Sequence, residues 1–443
     1  MDSPGAGLRL DASWVIPVEP AGVILRDHSV VISDDRVLAL LPHADAAAAY
    51  PQFTSIALPD RLLLPGLINA HTHAAMTLLR GYADDLVLQT WLQERIWPVE
   101  ARWVDPKFVA DGTTLACVEM LRGGVTTFAD MYFFPESAIE SVLAAGMRIN
   151  VGLTYLNVAT NYASTEEEYL TKGLQLHEKW AGHAHVGFSL APHATYSTSP
   201  ASLDRIAGLC QDHDLGVHTH LHETAVEVES ERQEFGMSGV ARLAEADALG
   251  PYFFGAHGVH LDESDIATLA SAEASIVHCP SSNLKLGSGI APIAALLDAG
   301  VNVALGTDGA ASNNRLDLWQ EMRTAALLAK GEARDPTSLP AHQALRMATL
   351  AGAYALGRSH DLGSLQPGKQ ADVISVDIGG VENAPMYDPA SAAVYVLGRE
   401  HVRDVWVAGR QVVDDGQCTT VDQVRAVAAV RDWADRLSAH SSA

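Results

Sequence analysis

Two histidines one residue apart close an apolar segment, "LLLPGLINAHTH", that begins at Leu62. Side chains alternate between the two faces of a β-strand, so His71 and His73 are expected to point the same way. Two imidazoles on one face, at the end of a strand, can hold one divalent cation. Taken alone, the stretch also fits a pair of hydrogen-bonded histidines beside a turn.

Further ionisable side chains stand at the ends of later apolar segments, and this repetition favours a metal site. They are His193, His218, His220, His222, Glu223, His257, His260 and Asp308. Buried imidazoles and carboxylates need partners or a metal ion, so a core built from this set would be costly. We expect His220 to be the third ligand and the deeper His218 to pack beside it. Asp308, just before Gly309, is the expected fourth ligand.

Three neutral nitrogens and one carboxylate, with a position left open for water, are typical of a catalytic site for zinc or iron. The fourth apolar segment, "VGFSLAPHATY", has no lysine that could be carboxylated to bridge two ions, so a single ion is favoured. No Pro-Cys-x-x-Cys is present, which excludes the zinc site of the cytidine deaminases. No Gly-x-Ser-x-Gly nucleophile motif is present either.

The elements that position these residues are predicted as eight strands alternating with helices. The predicted strands end near His73, Tyr132, Leu156, His193, Glu223, His260, Pro280 and Gly309. This rhythm is typical of a (β/α)8 TIM-type barrel, in which the active site gathers at the carboxyl ends of the strands. A doubly wound open sheet is the alternative. It is disfavoured because no Gly-x-Gly-x-x-Gly follows an early strand.

Both ends of the chain are predicted to be β-structure, because β-branched residues alternate there and are interrupted by Gly, Pro and Asp. We expect residues 1–62 and 367–443 to pair into one small β-sandwich around a barrel at 63–366. The last stretch, "VDQVRAVAAVRDWADRLSAH", is predicted to be an amphipathic helix.

Composition restricts the partners of the chain. The 443 residues include 29 Lys and Arg against 54 Asp and Glu, for a net charge of −25. This charge argues against nucleic acid and against an anionic membrane surface, and leaves a small molecule as the expected partner. A homo-oligomer is compatible with the sequence. Four cysteines without a CxxC pair, an acidic start and no apolar run of membrane-spanning length predict a cytoplasmic protein.

Five motifs resemble those of the amidohydrolase superfamily in order and content: "PGLINAHTH", "THLHET", "GAHGVHL", "PSSNLKLGSGIAP" and "GTDGAASNN". The resemblance runs from about residue 60 to 370. It is closest to the aminohydrolase branch that contains the 5-methylthioadenosine/S-adenosylhomocysteine deaminases, including the segments "MTLLRG" and "FADMY". Triazine chlorohydrolases and guanine deaminases are neighbours of that branch.

The resemblance implies one divalent ion held by His71, His73, His220 and Asp308. Zinc is the favoured ion, with Fe²⁺ and Mn²⁺ as alternatives. The resemblance further implies that Glu223 is the proton shuttle, that His257 lies beside the attacking water, and that Asp308 accepts the proton of that water. The resemblance also implies that the substrate is bound by Trp91, Glu100, His193 and Glu223. Glu100 would accept hydrogen bonds from the ribose hydroxyls.

The implied reaction is hydrolytic deamination of the adenine C6 amino group in 5'-methylthioadenosine, adenosine or S-adenosylhomocysteine, which gives an inosine-type product and ammonia. The alternative is deamination or dechlorination of another heteroaromatic ring, such as guanine, 8-oxoguanine or an s-triazine.

One departure from the resemblance bears on the choice of substrate. Some members bind the carboxylate of S-adenosylhomocysteine with arginines between the third and fourth strands, whereas residues 152–187 contain no arginine. Glu166, Glu167 and Glu168 lie there instead, so a carboxylate tail would meet repulsion. We therefore expect 5'-methylthioadenosine or adenosine to be preferred over S-adenosylhomocysteine.

Overall fold

The computed structural model describes residues 7–441 of the chain. Residues 1–6 and 442–443, the outermost parts of the two predicted terminal segments, lie outside the described residues. The strands are β1 (Gly7–Val15), β2 (Leu25–Ser33), β3 (Arg36–Pro42), β4 (Thr54–Pro65), β5 (Leu67–Thr72), β6 (Val125–Asp130), β7 (Arg148–Tyr155), β8 (Val186–Pro192), β9 (Gly216–Leu221), β10 (Phe253–His257), β11 (Ser275–His278), β12 (Asn302–Leu305), β13 (Val373–Asp377), β14 (Val402–Val407), β15 (Arg410–Asp414) and β16 (Gln417–Cys418).

The α-helices alternate with these strands through most of the chain. They are α1 (His43–Ala49), α2 (Leu88–Thr90), α3 (Trp97–Trp103), α4 (Pro106–Arg122), α5 (Pro135–Ala145), α6 (Glu166–Trp180), α7 (Pro200–Leu203), α8 (Ile206–His213), α9 (Ala225–Phe235), α10 (Gly239–Glu245), α11 (Glu263–Ser271), α12 (Pro280–Lys285), α13 (Ile293–Asp298), α14 (Leu318–Ala333), α15 (Ala341–Met347), α16 (Leu350–Ala355), α17 (Pro389–Tyr395) and α18 (Gln423–Ser441). A π-helical segment, Trp91–Ile96, joins α2 to α3. Short 3₁₀ segments cover Ala74–Leu79, Thr195–Ser197, Val381–Asn383 and Arg399–His401.

The eight parallel strands β5 to β12 lie side by side in the order of the chain. The first and last of them meet where the backbone N–H of Asp308 donates to the carbonyl of His71 at 3.0 Å. A doubly wound sheet would reverse its strand order, so the predicted barrel is confirmed. Because all eight strands run the same way, their carboxyl ends share one rim.

Strands from both chain ends form one second sheet, in the order β16-β15-β14-β13-β4-β1-β2-β3. The two ends join where β13 pairs antiparallel with β4, from Val373 opposite Pro65 to Asp377 opposite Arg61. The predicted pairing of the two ends is confirmed. Its side chains form a buried cluster that includes Leu10, Val30, Leu63, Val373 and Trp406.

The predicted C-terminal helix is confirmed as α18, which packs on α4 through Trp433. This side chain is 1% exposed, and its Nε1–H donates to Asp111 at 2.8 Å. Between β8 and β9 the chain forms two short helices, α7 and α8. Among residues 7–441, no helix combines the length and the apolar character that crossing a bilayer requires.

Every barrel strand ends one or more residues before the predicted position, and at β9 and β10 the difference matters for the site. β9 ends at Leu221 and β10 at His257. His222 and His257 have left-handed backbone conformations, with φ of 49° and 77°. A left-handed residue ends the alternation of side chains, so His222 does not share a face with His218 and His220, although parity along a longer strand would place it there.

Candidate active site

The carboxyl rim of the barrel brings His71, His73, His220 and Asp308 together. Nε2 of His73 lies 3.3 Å from Nε2 of His220 and 3.2 Å from Oδ1 of Asp308. Nε2 of His71 lies 3.5 Å from the same carboxylate oxygen. His71 lies in β5 and His73 directly follows it, whereas His220 lies in β9 and Asp308 in the loop after β12, far along the sequence. The predicted ligands therefore converge on one point.

The other ring nitrogen of each imidazole is held by the protein. Nδ1–H of His73 donates to the carbonyl of Met131 at 2.6 Å, and Nδ1–H of His220 donates to the carbonyl of His193 at 2.7 Å. A ring that donates from Nδ1 carries its lone pair on Nε2. The lone pairs of His73 and His220 therefore face each other, an arrangement that a cation between them stabilises.

His71 supplies a third nitrogen from below. The residue has no exposed surface, and its Nε2 has no hydrogen-bond partner among the described residues. Burial lowers the pKa of His71 to about 4, which keeps the ring neutral. An orphaned buried nitrogen beside two lone pairs and a carboxylate fits a divalent ion with N and O ligands.

Asp308 is held in a strained position by two hydroxyl groups. Its φ is 59°, a conformation that costs free energy in a residue other than glycine. Oδ2 accepts hydrogen bonds from Oγ of Ser282 and of Ser312, each at 2.6 Å. Oδ1 accepts from the backbone N–H of Gly309 at 2.7 Å and is the oxygen that faces the histidines.

Glu223 and His257 face each other beside the cluster of His71, His73, His220 and Asp308, with Oε2 and Nε2 3.9 Å apart. These six residues are called the centre below. Nδ1 of His257 is bonded to Oδ1 of Asn283 at 2.8 Å, so this ring also directs Nε2 toward the centre. The turn that carries Glu223 is fixed by Glu227, whose Oε2 accepts from the backbone N–H of Glu223 at 2.9 Å. Burial raises the pKa of Glu223, which suits a group that gives and takes protons.

These groups line one cavity of about 270 Å³ at the rim. The predicted substrate-side residues Trp91, Glu100 and His193 line the same cavity, whereas His71 lies beneath it. Oε1 of Glu100 accepts a hydrogen bond from the Tyr132 hydroxyl at 2.7 Å, and burial raises the pKa of Glu100 to about 7.

Of the other predicted histidines, His218, His222 and His260 do not line the cavity, whereas His193 does. His222 turns away and places Nδ1 3.2 Å from the carbonyl of His260, while Nε2 of His260 lies 2.8 Å from the carbonyl of Ser288. Nε2 of His218 lies 2.8 Å from Nδ1 of His71, so His218 packs against His71, one of the predicted ligands. Nδ1 of His193 is bonded to Oγ of Ser197 at 2.8 Å.

The three glutamates of α6 do not line the cavity, which corrects the expectation that they would repel a carboxylate tail. Glu166 accepts hydrogen bonds from Ser199 and Ser202 instead. Glu167 pairs with Arg205, and Glu168 pairs with Lys172. Among the described residues that line the cavity there is no Lys or Arg.

Four residues in contact with the predicted site were not identified from the sequence: Tyr132, Ser282, Asn283 and Ser312. They lie in the segments "FADMY", "PSSN" and "GTDGAASNN", which contribute to the family resemblance. The spacing of ionisable residues, however, does not indicate which groups a neutral side chain contacts.

Comparison with known proteins gives matches over nearly the whole chain. The 5-methylthioadenosine/S-adenosylhomocysteine deaminase of Teredinibacter turnerae is 46% identical over 430 residues, which cover 97% of each chain. The crystal structure of an adenosine deaminase from Xanthomonas campestris with bound zinc is 43% identical, with a TM-score of 0.96 over 98% of this chain and 99% of that one. An atrazine chlorohydrolase from Arthrobacter aurescens complexed with zinc is 25% identical, with a TM-score of 0.89 over 96% of this chain and 99% of that one.

The family comparison agrees with these relatives. The sequence model of the amidohydrolase family matches residues 62–412, which include the whole barrel and every residue of the centre. Since this match covers well over half of the chain and the barrel carries its ionisable groups at one rim, the chain belongs to the amidohydrolase family.

Proposed function

We propose that this chain is a metal-dependent hydrolase that removes the C6 amino group of adenine in 5'-methylthioadenosine and adenosine. The products are ammonia and the inosine-type nucleoside. One observation carries the proposal: a single cavity holds both the hydrolytic groups at Asp308, Glu223 and His257 and the buried carboxylate of Glu100. The relatives named as deaminases of 5-methylthioadenosine/S-adenosylhomocysteine and of adenosine support it.

The groups of the centre divide the work. His71, His73, His220 and Asp308 would hold one divalent ion, for which zinc is the first candidate because the Xanthomonas campestris relative binds it. Such an ion supplies Lewis-acid activation of water. His257, with Nδ1 fixed by Asn283, orients the attacking water through Nε2. Asp308 takes the proton of that water. Ser282 and Ser312 donate hydrogen bonds to Oδ2 of Asp308 and so hold the carboxylate in place.

Glu223 moves the proton that makes ammonia a leaving group. Attack at C6 forms a C–O bond and interrupts the aromatic system, so electron density builds on N1 of the ring. Glu223 gives its proton to N1, takes up the proton of the new C6 hydroxyl, and passes it to the amine as the C6–N bond breaks and the C6 carbonyl forms. The proton held by Asp308 then restores Glu223. Burial disfavours the charged carboxylate and raises the pKa of Glu223, which favours the protonated form that this step requires.

Glu100 favours a nucleoside over a free base or an s-triazine. A buried carboxylate that already accepts from Tyr132 has an oxygen left to accept hydrogen bonds from a ribose diol. A guanine base or a triazine has no diol and would leave the second oxygen of this carboxylate without a hydrogen-bond partner, which is costly. Trp91 and His193 would border the same nucleoside, because both line the cavity with Glu100.

At the 5' end of the nucleoside, an uncharged group is favoured. Leu156, Val158 and Phe134 belong to the cavity wall, and no cationic side chain among the described lining residues could pair with a carboxylate. A methylthio or hydroxymethyl group needs no such partner. We therefore propose that S-adenosylhomocysteine is a poorer substrate, because its tail would be desolvated without compensation.

Ammonia release across a panel of substrates tests the proposal. The panel contains 5'-methylthioadenosine, adenosine, S-adenosylhomocysteine, guanine, 8-oxoguanine and one chlorinated s-triazine, with chloride release followed for the last. The proposal predicts the highest kcat/KM for 5'-methylthioadenosine or adenosine. A higher value for guanine, 8-oxoguanine or the triazine would replace the proposal with its alternative.

A further inference from the structure

Glu321 is a fully buried carboxylate outside the cavity, and the reaction does not use it directly. It lies in the first turn of α14 and has no exposed surface. Both of its oxygens accept hydrogen bonds from neutral groups. Oε2 accepts from the backbone N–H of Ser281 at 2.9 Å, and Oε1 accepts from Nδ2 of Asn313 at 2.9 Å. A buried carboxylate is costly, so it needs a reason to be there.

The two partners of Glu321 lie next to the residues that hold the centre. Ser281 belongs to α12, in which the following Ser282 donates to Oδ2 of Asp308 and Asn283 bonds to His257. Glu321 thus holds Ser281, the residue directly before the two side chains that contact Asp308, the proposed proton acceptor, and His257, the proposed water-orienting ring.

The second partner holds the other side of the same carboxylate. Asn313 follows Ser312, which also donates to Oδ2 of Asp308. Nδ2 of Asn313 donates in addition to the carbonyl of Thr307 at 2.7 Å, one residue before Asp308. Asn313 therefore joins the two ends of the loop around Asp308, and Glu321 holds that loop through Asn313.

We propose that Glu321 is a positioning residue that clamps α12 to the loop of residues 307–313 and so sets the geometry of Asp308 and His257. The clamp holds Asp308 in its left-handed conformation, which a free loop would relax. This inference rests on the roles proposed above for Asp308 and His257. Glu321 does not line the cavity, so it has no contact with substrate.

The clamp requires two acceptors, which distinguishes a carboxylate from an amide. Both partners present N–H groups, and the remaining hydrogen of the Asn313 amide is used by Thr307. In Glu321→Gln one of the two carboxylate oxygens is replaced by an NH₂ group, which then faces either the backbone N–H of Ser281 or Nδ2–H of Asn313. Rotation of the Asn313 amide would relieve this contact only by giving up the bond to Thr307. The substitution changes no size, so it tests the hydrogen bonding alone.

The test compares Glu321→Gln with Glu332→Gln, an exposed glutamate on the same helix. Metal retention is measured by competition with a chelator, and the cobalt(II)-loaded proteins give absorption spectra that report coordination geometry. For Glu321→Gln we expect metal loss about 10- to 100-fold faster and a changed cobalt spectrum, because groups that support metal ligands have effects of this size. We expect kcat to fall by a similar factor while KM changes little. Glu332→Gln should match the wild type in every readout.

A lower melting temperature with unchanged metal retention, cobalt spectrum and kcat would overturn the proposal and leave Glu321 with a purely structural role. If Glu321→Gln does not fold, Asn313→Ala cuts one arm of the clamp and must show the same signature for the proposal to stand. The metal retention and the spectra do not depend on the substrate. If the wild-type protein fails to deaminate nucleosides, the proposed function fails while these readouts still decide the role of Glu321.

Discussion

Nε2 of the fully buried His218 lies 2.8 Å from Nδ1 of His71, and the two rings meet edge to face. His218 is itself stacked on Phe254, with ring centroids 4.3 Å apart. The orientation of His71, the deepest histidine of the centre, is therefore set by a side chain that never reaches the cavity. We expect that replacing His218 changes this orientation without removing a predicted ligand.

His218→Phe keeps the stacking surface and removes the bond to His71. We expect an affinity for the divalent ion about 10- to 100-fold lower, because the His71 ring loses the contact that aligns it. Metal content after dialysis against a graded series of chelator concentrations measures the effect. His360→Gln, at an exposed histidine, serves as the matched control. Equal metal retention in the two variants would contradict the role of His218.

Glu223→Gln removes the proposed proton shuttle and leaves the predicted ligands untouched. Activity should fall by about 10²-fold or more, the usual contribution of a positioned general acid or base. Metal content should stay at the wild-type level. Glu229→Gln, at an exposed position in α9, should be neutral. Near-normal turnover of Glu223→Gln would remove this residue from the mechanism.

Glu100→Gln tests whether the substrate carries a ribose. Hydrogen bonds to a charged group contribute about 1.5–3 kcal/mol, so KM for 5'-methylthioadenosine should rise about 10- to 100-fold. Glu94→Gln, exposed in the π-helical segment, is the control. An unchanged KM for the best substrate would favour a free base or a triazine.

The pH dependence of substrate binding gives a second readout of Glu100. Burial raises its pKa to about 7, so the carboxylate gains a proton as the pH falls through that value. A protonated carboxyl offers fewer acceptors to a diol. KM for the nucleoside should therefore rise below pH 7 in the wild-type enzyme, and Glu100→Gln should lose this dependence. A wild-type KM that is flat between pH 6 and 8 would count against a Glu100–ribose contact.

The wall of the cavity predicts discrimination against charge at the 5' position. We compare S-adenosylhomocysteine with 5'-butylthioadenosine, which has an uncharged tail of similar length. The charged substrate should have a kcat/KM at least about tenfold lower, since an unpaired charge taken from water costs more than ~1.4 kcal/mol. Equal kcat/KM values for the two substrates would contradict this prediction. They would show that the charged tail is paired with a cation outside the described cavity wall or stays in solvent at the mouth of the cavity.

Sequence patterns could predict the barrel and the convergence of His71, His73, His220 and Asp308. Each of these residues ends an apolar strand, and parallel strands in a barrel share one rim. The position of His222 could not be predicted, because parity along a strand holds only while the strand continues. Its left-handed backbone is fixed by the turn that follows β9.

The support for Asp308 was also hidden from the sequence. Ser282, Ser312 and Glu321 are ordinary residue types for a polar loop or a helix, and their contacts form only when α12 and α14 pack around the loop. Likewise, Glu100 is indicated by the resemblance alone, and its partner Tyr132, which follows β6 and lines the same cavity, has no signal of its own in the sequence. Neutral hydrogen-bond partners leave no periodic or charge pattern to recognise.

Hydrolysis in oxygen-18-labelled water tests the central claim most directly. The metal-loaded enzyme is incubated with 5'-methylthioadenosine, and the product is analysed by mass spectrometry. Hydrolytic deamination at C6 predicts an intact nucleoside that carries one labelled oxygen on the purine ring, with one ammonia released for each product molecule. An unlabelled product, a label on a released sugar, or an unchanged nucleoside would contradict the account.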